Sequence, residues 1–172
     1  RQTGWNTCHR GRKGAGIGIM GAVRGSQKQA TVRIFCRYPA TAWILPLDRR
    51  QLRAALAVML AAAEQANVPV VPPAVELHLV DDAAMSAANR RSMGCQGPTN
   101  VLSFPGGCDS PGTLLFSLDT LRRECLLYGQ EPGEHALRLL AHGMAHLCGL
   151  DHSAQMDAVS DYFMVVAAEA VA

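Results

Sequence analysis

Between Leu140 and His152 the chain reads L-A-H-G-M-A-H-L-C-G-L-D-H, which places three of its six histidines inside eleven residues. His142 and His146 are four apart, so on a helix they stand one turn apart on the same face. Gly149 follows, and glycine can end a helix in the left-handed conformation at little steric cost. The chain can then swing back and present His152 to the same point. A fold that uses all three side chains together needs a helix ending near residue 148 and a tight turn after it. Three imidazoles converging from a helix and its following turn suit a zinc ion with one open position, the catalytic rather than the structural arrangement.

The spacing H-x-x-x-H-x-x-G-x-x-H is also that of the long zinc-peptidase motif. In H-E-x-x-H enzymes the residue after the first histidine is a glutamate that serves as general base. Here that residue is Gly143. The metal cage is retained and the peptidase base is missing, so a zinc peptidase is the weaker reading of the same spacing.

The rest of the chain reads as alternating short strands and helices. Ala30–Arg37 alternates apolar and basic residues, as an edge or half-buried strand does. Asp48 can cap a helix running to about Ala66, with Leu52, Leu56, Met59, Leu60 and Ala63 at helical spacing. Pro69, Pro72 and Pro73 forbid helix beyond it. Ala74–Val80 is the clearest strand, with Val75, Leu77 and Leu79 on one face. Asp81 or Asp82 caps a helix to about Arg91, and Ser92–Gly97 reads as a loop. Thr99–Phe104 and Thr113–Phe116 are two further strands. Ser117 or Asp119 begins a helix to Tyr128. Pro132 suits the first position of the histidine-bearing helix, which is expected over about Gly133–Cys148. A last helix is expected over Gln155–Ala170. The expected fold is α+β: a single domain with a small mixed sheet of about four strands, helices packed on it, and the zinc site at the end of a central helix.

At 172 residues, with 49% apolar and only 5% aromatic content, the chain can fill one aliphatic core. Its charge is uneven. Residues 1–37 hold eight basic and no acidic residues; the remainder holds eight basic and fourteen acidic. Residues 1–28 therefore read as a flexible basic arm on a domain spanning 29–172, and a basic arm suits contact with a polyanion. A merely solubilising tail or an organellar transit sequence are the alternatives for that arm. No apolar run approaches the roughly 18–20 residues of a membrane span. Six cysteines without a C-x-x-C pair read as reduced thiols in a cytoplasmic protein. Oligomeric state is not legible.

Two stretches together carry a family resemblance: H142-G-M-A-H146-L-C-G-L-D-H152 and G97-P-T-N-V-L-S-F-P105. They resemble the signature segments of the YbeY-type endoribonucleases, roughly H-G-x-L-H-L-x-G-[YF]-D-H and P-T-[DN]-V-L-S-F-P. The likeness covers about residues 74–165. It implies a zinc-dependent hydrolase acting on single-stranded RNA, in small-subunit rRNA processing and ribosome quality control, with the small ribosomal subunit as partner. His142, His146 and His152 take the family's metal-ligand positions. The chain departs from the pattern at Met93, where an Arg is usual, at Thr113, where an Asp is usual, and at Leu150, where an aromatic is commoner. These departures keep open a second reading, a non-catalytic ribosome-assembly or RNA-binding factor with a retained zinc site.

The catalytic helpers are less defined. Asp151 adjoins a ligand and could hydrogen-bond an imidazole N–H or serve as an ordinary turn carboxylate. Arg90 and Arg91 are the cations nearest the missing Arg and are candidates to meet transition-state charge on a phosphate; the alternative is two ordinary cations at a helix C-terminus. Thr99 or Ser103 could line a cleft, although in a short strand such residues mostly satisfy backbone or solvent. His135, two turns before His142, could reach its mouth or face solvent, and His78, Glu134 and Asp157 read as packing or surface groups.

Overall fold

A computed structural model describes residues 31–37, 45–107 and 109–172. The basic arm expected over residues 1–28 lies outside the described residues. In chain order the elements are β1 (Thr31–Cys36), α1 (Arg49–Ala63), β2 (Ala74–Val80), α2 (Asp82–Met93), β3 (Val101–Phe104), β4 (Gly112–Ser117), α3 (Leu118–Tyr128), α4 (Pro132–Leu147) and α5 (Ala154–Val171). This is the expected α+β arrangement of a four-stranded sheet with helices packed on it.

Caps set most of the helix starts. Asp48 closes a capping box on α1 with Gln51. The side chains of Asp81, Ser117 and Ser153 accept from backbone N–H groups in the first turns of α2, α3 and α5. Pro132 enters the first turn of α4, where its missing N–H costs nothing. Two expected boundaries moved for local reasons. The helix α2 runs on to Met93 because Gly94, at φ 68°, closes it by donating its N–H to the Arg90 carbonyl at 3.2 Å. Strand β3 starts at Val101 rather than Thr99. Pro98 has no N–H for a ladder, and the Asn100 side-chain oxygen takes the Val101 N–H at 2.8 Å.

The sheet order is β1-β2-β4-β3. β1, β2 and β4 are parallel, and β3 runs antiparallel along the free edge of β4. Alternation along the strands sends side chains to two cores. Val75, Leu77, Leu79, Leu114 and Phe116 join residues of α1, α3, α4 and α5 in the main one. Leu102 and Leu115, which are register partners, face the other way and pack with Val80, Met85 and Ala88 under α2. The sheet is thus covered on one face by the histidine-bearing helix and its neighbours, and on the other by α2. Both α2 and α4 reach the same edge strand, β3, and that edge is where the cleft beside the three histidines opens.

The start of α2 is tied to α3 by a polar cluster around Asp82. Its carboxylate accepts from the Ser117 and Thr120 hydroxyls, both at 2.7 Å, and from Arg123 at 2.9 Å. Burial pushes the Asp82 pKa up, but the Thr120, Arg123 and Ser117 hydrogen bonds and the Arg123 charge outweigh it and hold the carboxyl below its ordinary value. A carboxyl so lowered stabilises the fold above the unfolded value of about 4, and the contribution is lost as pH falls through the lowered folded value. Asp82→Asn will therefore cost about 1–2 kcal/mol at neutral pH, a figure that allows for the half-exposed Arg123. In chemical denaturation the gap between variant and wild type will close below about pH 4; a gap independent of pH would show that the charge plays no part.

Candidate metal centre

The helix α4 carries His142 and His146 on one face and a buried stripe of Leu137, Leu140, Met144 and Leu147 on the other faces toward the core. Gly143, the residue after the first histidine, is buried against the sheet. A Cβ built there would lie 2.9 Å from Leu114 Cδ2, 3.1 Å from Val101 Cγ2 and 3.3 Å from Ser103 Oγ. The Ser103 hydroxyl donates to the Gly143 carbonyl at 3.0 Å, which fixes β3 to the helix at the same point. The position that carries the base in peptidases therefore faces the sheet here, where even a methyl would require the Leu114 side chain to shift. The helix stops at Cys148, and Gly149, at φ 81°, turns the chain back. Its N–H donates to the His146 carbonyl, and the Leu150 N–H donates to the Ala145 carbonyl.

This turn brings His152 to the other two. The three rings offer ligand nitrogens that all lie within 4.8 Å of one another. Ring centroids are 4.8 Å apart for His142 and His146, 4.9 Å for His146 and His152, and 5.4 Å for His142 and His152. Three imidazoles at such a spacing are a nitrogen donor set that can share one metal ion. His146 is oriented by the turn itself: its Nδ1 lies 2.9 Å from the Leu150 carbonyl oxygen. A carbonyl only accepts, so Nδ1 carries the proton and donates, which leaves the Nε2 lone pair free for a metal. For this ring the partner is a backbone carbonyl; Asp151, which could hydrogen-bond an imidazole N–H or serve as a turn carboxylate, is not the group on His146 Nδ1.

Burial first, then the proximity of His146 and His152, lowers the pKa of His142, with Asp157 on α5 acting in the opposite direction. The lowered value keeps the imidazole neutral and its lone pair available at physiological pH. Asp157, read from the sequence as a solvated carboxylate, is thus close enough to His142 to be felt electrostatically.

The three histidines open onto a cleft of about 460 Å³ whose other lining residues are Met93, Val101, Leu102, Ser103, Pro105, Gly149, Leu150 and Asp151. Asp151 is exposed on its wall. No Lys or Arg is among these lining residues. Arg90 and Arg91, expected to meet phosphate charge, are exposed and stand outside this lining. Met93, three residues beyond Arg90 on the same helix, lines the cleft, whereas Arg90 lines a separate cavity. Thr113 pairs with Glu76 and Phe104 within the sheet and does not line the cleft. His135 is neither at the cleft nor exposed. Its Nε2 lies 2.8 Å from Glu124, whose carboxylate also accepts from Asn100 at the start of β3. His78 stacks on Phe35 with centroids 4.6 Å apart, a packing role as expected. The apolar wall of Val101, Pro105 and Leu150 had no recognisable signal in the sequence beyond lying in the two motif segments.

With this geometry in place, comparison with known proteins decides the family. Residues 43–161 match the family described as Endoribonuclease YbeY. This chain belongs to the YbeY endoribonuclease family. It is 39% identical over 142 residues to Endoribonuclease YbeY of Nitratidesulfovibrio vulgaris, covering 70% of this chain and 85% of that protein. It is 39% identical over 116 residues to Endoribonuclease YbeY of Lawsonia intracellularis, covering 67% of this chain and 82% of that one. A solution structure of a Thermotoga maritima protein shares the fold, with a TM-score of 0.56 over 80% of this chain and 89% of that one, at 19% identity. The two motif segments that carried the resemblance supply every residue of the cleft lining except Met93: Val101, Leu102, Ser103 and Pro105 from one, and residues between His142 and His152 from the other.

Two outcomes check the geometry. Gly143→Glu, which restores the peptidase glutamate in sequence, will create no peptidase and will destabilise the fold by at least about 2 kcal/mol, because it overpacks a helix–sheet contact and buries a charge; a stable, peptide-cleaving variant would refute the packing argument. Because metal binding needs neutral imidazoles and His142 is held below its ordinary value, titrating metal-loaded protein to acid will release the ion with a midpoint below about pH 6.5. Metal analysis of the dialysed protein at each pH reads this directly.

Proposed function

We propose that this protein is a zinc-dependent endoribonuclease that cuts single-stranded RNA, acting in maturation of small-subunit ribosomal RNA and in ribosome quality control. The observation that carries the proposal is the convergence of His142, His146 and His152 in an open cleft of a chain from an endoribonuclease family. His152 and Asp151 on the cleft lining are exposed, so a flexible single strand can reach the three histidines. Three nitrogen ligands favour zinc over magnesium or calcium, which prefer oxygen. Zinc held there supplies a Lewis acid for a phosphoryl oxygen and lowers the pKa of a bound water.

The chain's own residues divide the remaining work. The Leu150 carbonyl and the His146 Nδ1 proton fix the ligand ring. Asp151, exposed on the cleft wall, is our candidate to accept the proton of the attacking group, which is water or the substrate's 2′-hydroxyl. Arg90 and Arg91 do not line the cleft, so we assign neither to the reacting phosphate. We assign the protein to the cytoplasm, with the small ribosomal subunit as its partner; the thiols of Cys95, Cys125 and Cys148, which form no disulfide, suit a reducing compartment.

Met93 on the cleft wall, where the family pattern has Arg, favours a second reading: an assembly factor that keeps the metal but does not cut RNA. It predicts zinc content and ribosomal-particle binding without cleavage at any enzyme concentration. The first reading predicts that zinc-loaded protein cleaves a defined single-stranded RNA, that a chelator stops it, and that added zinc restores it. His146→Ala will lose the metal and at least about 100-fold in cleavage rate while keeping its helical circular dichroism. Cleavage by that variant at the wild-type rate, with contaminating nuclease excluded, would sink the metal mechanism.

A further inference from the structure

A second cavity, of about 260 Å³, is lined by Arg90, Gln96 and Gly97. Two paths along the chain connect it to the metal cleft. On α2, Arg90 lines this cavity and Met93 lines the cleft, three residues apart on one helix. Such a pair has Cβ atoms about 5–6 Å apart, close to the step between neighbouring phosphates on an extended strand. In the loop that follows, Gln96 and Gly97 line this cavity, and the same segment runs on to Val101 in the cleft wall. The loop is held in shape. Gly94 and Gly97 both take positive φ, and the buried Asn89 side chain donates to the Gly97 carbonyl at 3.0 Å.

Charge makes this neighbour relevant. The metal cleft contributes Asp151 and no Lys or Arg to its lining. Among the described residues, the cleft lining offers a passing strand no cation for its backbone beyond an ion held by the histidines. Arg90 supplies a planar fork of N–H donors that matches a phosphate, and Gln96 adds amide donors. Gly97 presents no side chain to hold a strand off. No acid lines this cavity. We propose that the Arg90–Gln96–Gly97 cavity is a phosphodiester subsite that holds a backbone phosphate of single-stranded RNA next to the one at the metal. Arg90 then anchors the substrate and does not touch the reacting phosphate, which accounts for its place outside the cleft. The inference rests on the endoribonuclease reading and assigns part of that substrate's binding.

The test is equilibrium binding of a short, fluorescently labelled, 2′-O-methylated single-stranded RNA to the metal-loaded protein across a salt series. Arg90→Ala will weaken binding about tenfold at low salt. It will also make the slope of log affinity against log salt shallower by about 0.7, the value for one phosphate contact on a single strand. Arg90→Lys will recover the slope and only part of the affinity, because an ammonium keeps the charge but loses the fork. Arg138→Ala, which removes an equal charge from an ion pair with Glu134 on α4, will change binding less than about twofold. With cleavable RNA, the loss in Arg90→Ala will fall mainly on KM, as for an interaction made equally in ground and transition states. Unchanged affinity and slope in Arg90→Ala, or equal losses in Arg90→Ala and Arg138→Ala, would overturn the subsite while leaving the nuclease reading intact. A wild-type protein that neither binds nor cleaves RNA would overturn both.

Discussion

At Gly143 the helix α4 lies against β3 and β4 so closely that an added methyl would come within 2.9 Å of Leu114. Much of the site depends on that contact. With the helix seated by a residue that has no side chain, His142 and its partner one turn later must face away from this contact and toward the open edge. The Ser103 hydroxyl, donating to the Gly143 carbonyl, ties the neighbouring strand to the same turn. One close approach thus sets the depth of the cleft, the direction of two ligands and the position of the opposing wall. It also explains why no glutamate follows the first histidine: in this fold the position belongs to the helix–sheet interface. The same sequence spacing that serves peptidases is here embedded in a different packing, and the chemistry follows the packing.

The third ligand has no helix of its own, so its placement depends on what holds the turn. Gly149 supplies a backbone conformation that other residues reach only with strain. The Leu150 carbonyl accepts from the His146 ring, so the turn and the ligand orient each other. Outside it, the Val70 N–H donates to the Cys148 carbonyl, and the Gln155 side chain donates to the Asn67 carbonyl. The proline-rich segment between α1 and β2 is therefore a strap across the end of α4 and the start of α5. Ordering of this kind before a ligand arrives spares the entropy that a floppy third ligand would lose on binding. The buried Cys148 thiol, pushed up to about 12 by its apolar surroundings, packs as an apolar group beside the ligands rather than competing with them.

Cleft and neighbour divide the recognition of a polyanion between them. The cleft lining brings three imidazoles, one carboxylate and apolar side chains. Arg90, a cation that a sequence reading would offer to the reaction, lines a separate cavity instead. Arg90 and Met93 are surface neighbours on the last turn of α2, yet each lines a different hollow. Residue type and sequence proximity identified the right segment but not the right side chain.

The amino-acid sequence by itself determined the elements and the grouping of the three histidines. Alternation in Ala74–Val80, the caps at Asp48 and Ser117, and Pro132 at a helix start act within a few residues, so local chemistry suffices to read them. The histidine spacing is equally local, because a helical turn and one glycine bring all three rings together. Tertiary structure alone decided the rest. That Gly143 faces Leu114 and Val101, that Leu150 rather than Asp151 orients His146, and that His135 turns to Glu124 across two helices are consequences of how α4 docks on the sheet. So is the separation of Arg90 from the cleft. These contacts join residues distant in the chain, or depend on which way a helix is rotated about its axis. That rotation is set by the summed burial of the whole core and not by any short motif.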